Sequence, residues 1–266
     1  MRSVLLFCVL AILITCPSVN AGSSAGIPDL DALERVTQLP DALPQRITGL
    51  AYDGEKIWAT IYLGHGRYAT LDPSTLAWKI SEDDKQHRAI MDVAGAFGSP
   101  GGISFVNGKL WIAGAYGESF GSIDMRDWKT ERIFKGKQIE ESGSQSYSSM
   151  VYDGSHLWIA WHWMKYKLPT SETQLLLKIE PETGKVVEKY PLPPGSAPDM
   201  THALTWDGSR LWHAKDKRLS SIDPVTGQVT ATYRLPQLER PSGLAWDGQV
   251  LWISEFDGKI WRLPVL

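Results

Sequence analysis

The sequence predicts an all-β chain, a β-propeller of five four-stranded blades. Three observations carry this expectation. A ten-residue motif closing on tryptophan recurs five times. The closing residues are Trp58, Trp111, Trp158, Trp212 and Trp252, so the steps are 53, 47, 54 and 40 residues. That period is characteristic of propeller blades rather than helical solenoids. A second turn signal, of the Asp/Glu-Pro-x-Thr-Gly kind, follows the motif in several copies. The composition is compatible: 266 residues, 43% hydrophobic, 21% charged and a net charge of −3. Such a chain buries a sizeable core, and its lack of basic excess argues against nucleic acid as a partner.

The elements follow in order. Arg2, the apolar run Val4 to Thr15 and the small residues of Val19-Asn20-Ala21 have the form of a secretory signal peptide cut after Ala21. The expected boundaries are a signal peptide over 1–21, a linker over 22–33 and one propeller domain over 34–266. The protein is then secreted or periplasmic. Lipidation at Cys16, in the lipobox-like Leu13-Ile-Thr-Cys16, is the less favoured alternative. Both cysteines, Cys8 and Cys16, leave with the leader, so the mature chain has neither a disulfide nor a thiol nucleophile. Arg2 leaves too, giving 26 basic against 30 acidic residues. No later apolar run is long enough to span a membrane as a helix.

The five motif copies begin at Gly49, Gly102, Ser149, Ala203 and Gly243. Each runs through a small or apolar strand into Asp-Gly or Asn-Gly, which supplies the positive φ of a hairpin turn. An aliphatic-Trp pair then starts the second strand. Thr70-Leu-Asp-Pro-Ser-Thr75, Ile179-Glu-Pro-Glu-Thr-Gly184 and Ile222-Asp-Pro-Val-Thr-Gly227 mark the turn into the outer strand. The fifth copy ends at Leu266 without an outer strand. Glu34 to Pro40 supplies it and closes the ring, which removes the exposed edges. Helix-period stretches of useful length are not evident, the charged segment Ser81 to Arg88 reads as a loop, and Glu140 to Ser149, rich in Ser and Gly, reads as a flexible approach to blade three. Six blades, with one hidden in the longer intervals, is the alternative.

These repeats resemble the Trp-Asp-Gly and Asp-Pro-x-Thr-Gly propellers, among them the streptogramin-lyase-like and gluconolactonase-like families. In blade count the chain resembles the glutamine cyclotransferase family, which turns N-terminal glutamine into pyroglutamate. That family's first blade reads Phe-Thr-Gln-Gly-Leu, then Leu-Tyr-Glu-Ser-Thr-Gly, then Tyr-Gly. Here the matching stretches are Ile47-Thr-Gly-Leu50, Ile57-Trp-Ala-Thr60 and Gly64-His-Gly-Arg-Tyr68. The family's catalytic glutamate falls at Ala59, which moves no proton. Thr48 stands where the glutamine precedes the glycine.

Function is sought where the repeat breaks at the face on which inner strands start and second strands end. Three residues past each repeated Trp stand Ile61, Gly114, Trp161, Lys215 and Glu255, and next come Tyr62, Ala115, His162, Asp216 and Phe256. Blade three is the most aromatic there. Trp161, His162 and Trp163 read as a stacking platform with a polar contact, or as packing under a long loop. Blades four and five offer His202, Lys215, Asp216, Glu255 and Asp257. These suit an acid/base pair or a divalent-metal site in the channel, or else a Lys215–Glu255 ion pair between blades. Tyr62, His65 and Arg67, with Tyr116 and Glu118, rim the same mouth, where Arg67 suits a carboxylate or phosphate. His213 is expected to pack between sheets, and His87 and His156 to lie at the surface. No zinc-type motif, nucleophile elbow, phosphate loop or dinucleotide fingerprint occurs.

The expectation is a monomeric, exported propeller that binds a small molecule, peptide or glycan at its channel mouth, with no resident cofactor and no catalytic residue assigned. A cyclotransferase- or lyase-like enzyme and a protein-interaction scaffold remain the alternatives. Of the twelve tryptophans, only Trp161 and Trp163 have no place in the repeat.

Overall fold

A computed structural model describes residues 29–41, 46–62, 66–95, 100–115, 119–135, 145–163, 174–193 and 201–264, with Gln145 and Trp163 described in their main chain only. The chain forms five four-stranded antiparallel sheets. Strand β1 (Glu34–Gln38) comes first. Blade one follows as β2 (Ile47–Tyr52), β3 (Ile57–Ile61), β4 (Tyr68–Leu71) and β5 (Trp78–Ile80). A helix, α1 (Asp84–Ala94), leads into blade two: β6 (Pro100–Val106), β7 (Lys109–Gly114), β8 (Ser119–Asp124) and β9 (Lys129–Lys135). Blade three is β10 (Gln145–Tyr152), β11 (Leu157–Trp163), β12 (Gln174–Ile179) and β13 (Val186–Pro191). Blade four is β14 (Ala203–Trp206), β15 (Leu211–Lys215), β16 (Arg218–Ile222) and β17 (Val229–Arg234). Blade five is β18 (Pro241–Trp246), β19 (Val250–Glu255) and β20 (Lys259–Pro264), completed by β1 paired with β20. The blade count and the closure by the N-terminal strand are as the repeats predict.

The repeat has a physical cause. Asp53 turns one carboxylate oxygen to the N–H groups of Glu55 (2.8 Å) and Lys56 (2.7 Å), which fixes the turn. Its other oxygen accepts the Trp58 indole N–H at 2.6 Å. Asp153–Trp158, Asp207–Trp212 and Asp247–Trp252 repeat that lock at 2.6, 2.7 and 2.7 Å. In blade two Val106 stands in the aspartate's place, and the buried Trp111 Nε1 finds no partner among the described residues. Four of the five tryptophans thus tie their turn to a core that lies between neighbouring blades. Trp252, for example, packs with Ile57, Ile61 and Leu71 of blade one.

The inner strands approach closely enough to require glycine. A Cβ on Gly102 would lie 2.4 Å from the Met150 main-chain nitrogen. At the fifth residue of the turn into the outer strand, Gly184 and Gly227 adopt φ +69 and +67 beneath the rings of Phe134 and Tyr190. In blades one and two Leu76 and Trp128 hold that left-handed conformation instead, with φ 59 and 55. Ser81, whose N–H bonds the Tyr68 carbonyl, stands at the position of Phe134, and the Trp128 ring stacks over Tyr68. Trp128 therefore sits in a turn rather than on a strand.

Three local expectations are corrected. The charged stretch after Ser81 is mostly helix: Asp83 caps it, accepting from Lys85 and Gln86 N–H, and His87, Ala89, Ile90, Val93 and Ala94 face the core. That i, i+3, i+7 stripe is hidden by its charged neighbours. His87 is accordingly buried, with Nε2 2.8 Å from Ser81 Oγ. The Ser/Gly-rich approach to blade three is already inner strand from Gln145, with Tyr147, Ser148 and Ser149 buried. The leader, residues 1–21, lies outside the described residues.

Candidate functional site

The first and second strands of each blade meet at one face, the channel mouth. The opposite end of the channel is a cavity of about 110 Å³ into which Tyr52, Phe105, Tyr152, Trp206 and Trp246 each project from one blade. At the mouth, pairing of the two strands skips one residue in four blades, at Thr48, Gly101, Ser148 and Ser242. The skipped residues are small or carry a hydroxyl. Thr48 Oγ1 lies 3.2 Å from Thr60 Oγ1 and donates to the Pro100 carbonyl at 2.5 Å. Ser242 Oγ lies 3.1 Å from Ser254 Oγ, and Ser148 Oγ donates to the Ala160 carbonyl at 3.2 Å.

Blade four breaks this ring. The residue just before β14 is His202, and its Nδ1 lies 2.9 Å from His213 Nε2, so one nitrogen donates and the other accepts. The two rings are stacked, with centroids 5.2 Å apart. His162, at the end of the second strand of blade three, places its ring centroid 6.2 Å from that of His202. Lys215 ends β15 and donates from Nζ to the Thr201 carbonyl at 3.3 Å. All four side chains are buried, His202 completely. Burial, then the charge of Lys215, then His213 and His162, press the His202 pKa well below the usual imidazole value. Burial and Lys215 bring His213 down to about 3. Both rings are therefore neutral at physiological pH. His202 Nε2 has no hydrogen-bond partner among the described residues.

The sequence-derived candidates separate into two groups. His162, His202 and Lys215 come together, joined by His213, which does pack between strands but as a hydrogen-bonded member of the cluster. Glu255 does not join them. Its Oε1 accepts the N–H groups of Glu239 (2.6 Å) and Arg240 (3.3 Å), and its Oε2 accepts the Trp261 indole at 2.8 Å. This carboxylate organises the chain entering blade five, and the ion pair with Lys215 is not among its bonds. Asp216 sits in the turn after β15 with φ 52. Asp257 holds the turn after β19 through the Lys259 N–H (3.2 Å) and ammonium (2.6 Å). Trp161 is core, packed with Tyr147 and Phe120 between blades two and three. Tyr62 and Arg67 lie on the blade-one side of the mouth, Arg67 exposed. His65, Tyr116, Glu118 and the side chain of Trp163 fall outside the described residues.

Sequence reasoning left Arg46, Arg240 and Phe256 without a role, because no motif marks residues that only flank strands. Among the described residues no group of three or more His, Cys, Asp or Glu side chains is disposed to hold a metal ion. His202 and His213 bond to each other and to no carboxylate, so the cluster offers neutral donors and acceptors beside one ammonium rather than an acid/base pair.

The fold has a known counterpart. The chain superposes on the glutaminyl cyclase of Myxococcus xanthus with a TM-score of 0.58 at 12% identity, over 90% of this chain and 99% of that one. A catalytically inactive virginiamycin B lyase from Staphylococcus aureus, solved with quinupristin, aligns with a TM-score of 0.47 at 15% identity, over 83% and 66%. A nidogen/laminin complex aligns with a TM-score of 0.49 at 15% identity, over 80% and 73%. No protein-family model matches the chain, and no curated protein matches its sequence. At 12% identity the likeness to the glutaminyl cyclase is one of fold alone.

Proposed function

We propose that this protein is an exported, monomeric propeller that binds a small molecule, or a short peptide or glycan segment, at its channel mouth without covalent catalysis. The carrying observation is His202. It is completely buried in the mouth wall, and its Nε2 has no hydrogen-bond partner among the described residues. Leaving a buried polar atom unpaired costs about 1–3 kcal/mol, which a ligand group or a water bonded there recovers. Blades one, three and five manage the same place with hydroxyls bonded inside the fold. The imidazoles of blade four are a departure that packing alone does not require, and such departures cluster at functional sites.

The binding reading is favoured over catalysis by the carboxylates. An acid/base pair of imidazole and carboxylate needs the two groups within hydrogen-bond reach. Glu255 is committed to N–H groups, and Ala59 stands where the cyclotransferase glutamate falls, buried in the blade-one core.

The test is a thermal-shift screen of the chain beginning at Gly22 against sugars, short peptides and divalent metals. A ligand at one hundred times its Kd stabilises the fold by about 2.7 kcal/mol. A stabilising compound is expected, and a His202→Ser, Lys215→Met variant is expected to lose the effect while folding normally. An undiminished shift in that variant contradicts the reading. So does ammonia release from a glutamine-initiated peptide above the spontaneous rate. Mass spectrometry of the exported chain is expected to find Gly22 at its N-terminus.

A further inference from the structure

The opposite wall of the mouth, where blade five meets blade one, carries a cluster of a different kind. Arg46 immediately precedes β2, and its carbonyl accepts the Tyr62 N–H at 2.8 Å. Arg240 immediately precedes β18, and its carbonyl accepts the Phe256 N–H at 2.9 Å. The two arginines thus occupy the same position in adjacent blades, each opposite an aromatic residue. The side chains then converge. The Arg240 guanidinium lies 3.9 Å from the Phe256 ring centre, and Arg46 lies 5.9 Å from it and 5.7 Å from the Tyr62 ring. The two rings are 5.7 Å apart. Arg67 enters β4 on the strand face of Ala69 and Leu71, which pack in the core shared with blade five.

We infer that this wall recognises an oxyanion, a carboxylate, sulfate or phosphate group of the ligand. The inference rests on the mouth being the binding face and adds the ligand's charge. Contact with the Tyr62 face engages the plane of the Arg46 guanidinium and leaves its in-plane N–H donors available for an anion. Arg46 and Arg67 are both exposed, and the side chain of neither forms an ion pair or hydrogen bond with another described residue. Of the acidic residues that end and follow β19, Glu255 is held by N–H groups and Asp257 by Lys259. The chain as a whole is acidic, with a net charge of −3, so this concentration of guanidinium is local. Tyr62 and Phe256 remain partly exposed between the arginines and offer ring faces to the body of the molecule bearing the anion.

The experiment is a nitrogen-15 NMR titration of the chain from Gly22, following the arginine Nε–H signals together with the side-chain nitrogens of His202 and Lys215. Sodium acetate, sulfate and phosphate are added in separate arms, with chloride holding ionic strength constant because exposed charges are screened. Saturable shifts at Arg46 and Arg67 in at least one arm are expected, and the arm that responds identifies carboxylate or tetrahedral anion. Arg46→Gln and Arg67→Gln are each expected to weaken binding about tenfold. Both positions are exposed, so the fold is retained, which circular dichroism checks. Arg132→Gln, on the outer strand of blade two and bonded to the Glu182 carbonyl, is expected to change nothing. No saturable shift in any arm, equal shifts across all arginines, or binding untouched by the Arg46 and Arg67 variants overturns the inference. Saturable shifts confined to His202 and Lys215 overturn it too, while leaving the proposed binding function standing.

Discussion

Stability below neutral pH tests the buried imidazoles directly. In the unfolded chain His213 titrates near 6.5. In the fold burial, and then Lys215, bring it down to about 3. A base whose pKa is lowered by folding binds fewer protons in the fold than in the unfolded chain, so stability rises with pH. The contribution is neutral above about 6.5 and is lost progressively as pH falls from there toward 3. Between pH 7.5 and pH 5 the unfolded state gains about 1.5 pH units of protonation free energy that the fold does not match. At 1.36 kcal/mol per unit this is about 2 kcal/mol. His202 adds to the loss in the same direction, because its pKa is also pressed well below the usual value. The carboxylates held low, Asp72, Asp124, Asp127, Asp153, Asp207 and Asp223, act only below about pH 4, outside this window. The perturbation is His213→Ile, which installs the residue that blades two, three and five carry as Ile112, Ile159 and Ile253. The assay is urea denaturation at pH 7.5 and pH 5. The variant is expected to lose about 2 kcal/mol less than the parent between the two, and His202→Ser with His213→Ile less still. Parallel pH dependence in parent and double variant would refute the neutral, buried assignment.

Two further outcomes follow from the frame. Asp153→Ala removes the acceptor of the Ser155, His156 and Trp158 N–H groups and leaves a fully buried indole unsatisfied; a loss of about 3 kcal/mol by urea denaturation is expected, whereas Val106→Ala, which breaks no such lock, costs only its apolar contacts. Gly102→Ala places a Cβ 2.4 Å from the Met150 main-chain nitrogen, where neither strand has room to yield; a melting temperature several degrees lower is expected, and an unchanged one would contradict the close approach of blades two and three.

The fold was largely legible because each blade repeats one local chemistry. An aspartate that caps its own turn and binds the indole five residues on leaves the same letters in four blades, and the closing Trp carries the period through blade two. What escaped was the irregular part. Helix α1 buries its stripe through His87, Ala89, Ile90 and Val93 within a segment whose other residues are mostly charged, so strand grammar passed over it. Among the site residues, His162 and Lys215 were legible because they fall in the two varied columns past the repeated Trp, and His202 because the other blades carry Thr48, Gly101, Ser148 and Ser242 in its place. His213 sits on the adjacent register, where its neighbours are core isoleucines, and only the fold shows that its ring reaches back to His202. Glu255 was misplaced for the opposite reason. It stands in the right column, but the loop carrying Glu239 and Arg240 folds its N–H groups onto the carboxylate, and main-chain direction leaves no sequence signal. Trp161 has no place in the repeat, yet it fills the space between blades two and three, which shows that an off-pattern residue can still be packing.

The central claim is that the mouth, rather than an outer cleft, is where this propeller binds. An alternative cavity exists: the cleft between blades one and two, about 420 Å³, is walled by Trp58, Tyr68 and Trp128. A crystal structure of the chain from Gly22 with the compound that most raises its melting temperature separates the two. The account predicts density at the mouth, with a polar ligand atom or a bridging water within hydrogen-bond distance of His202 Nε2. Density in the cleft against Trp128, with the mouth unchanged, would contradict it.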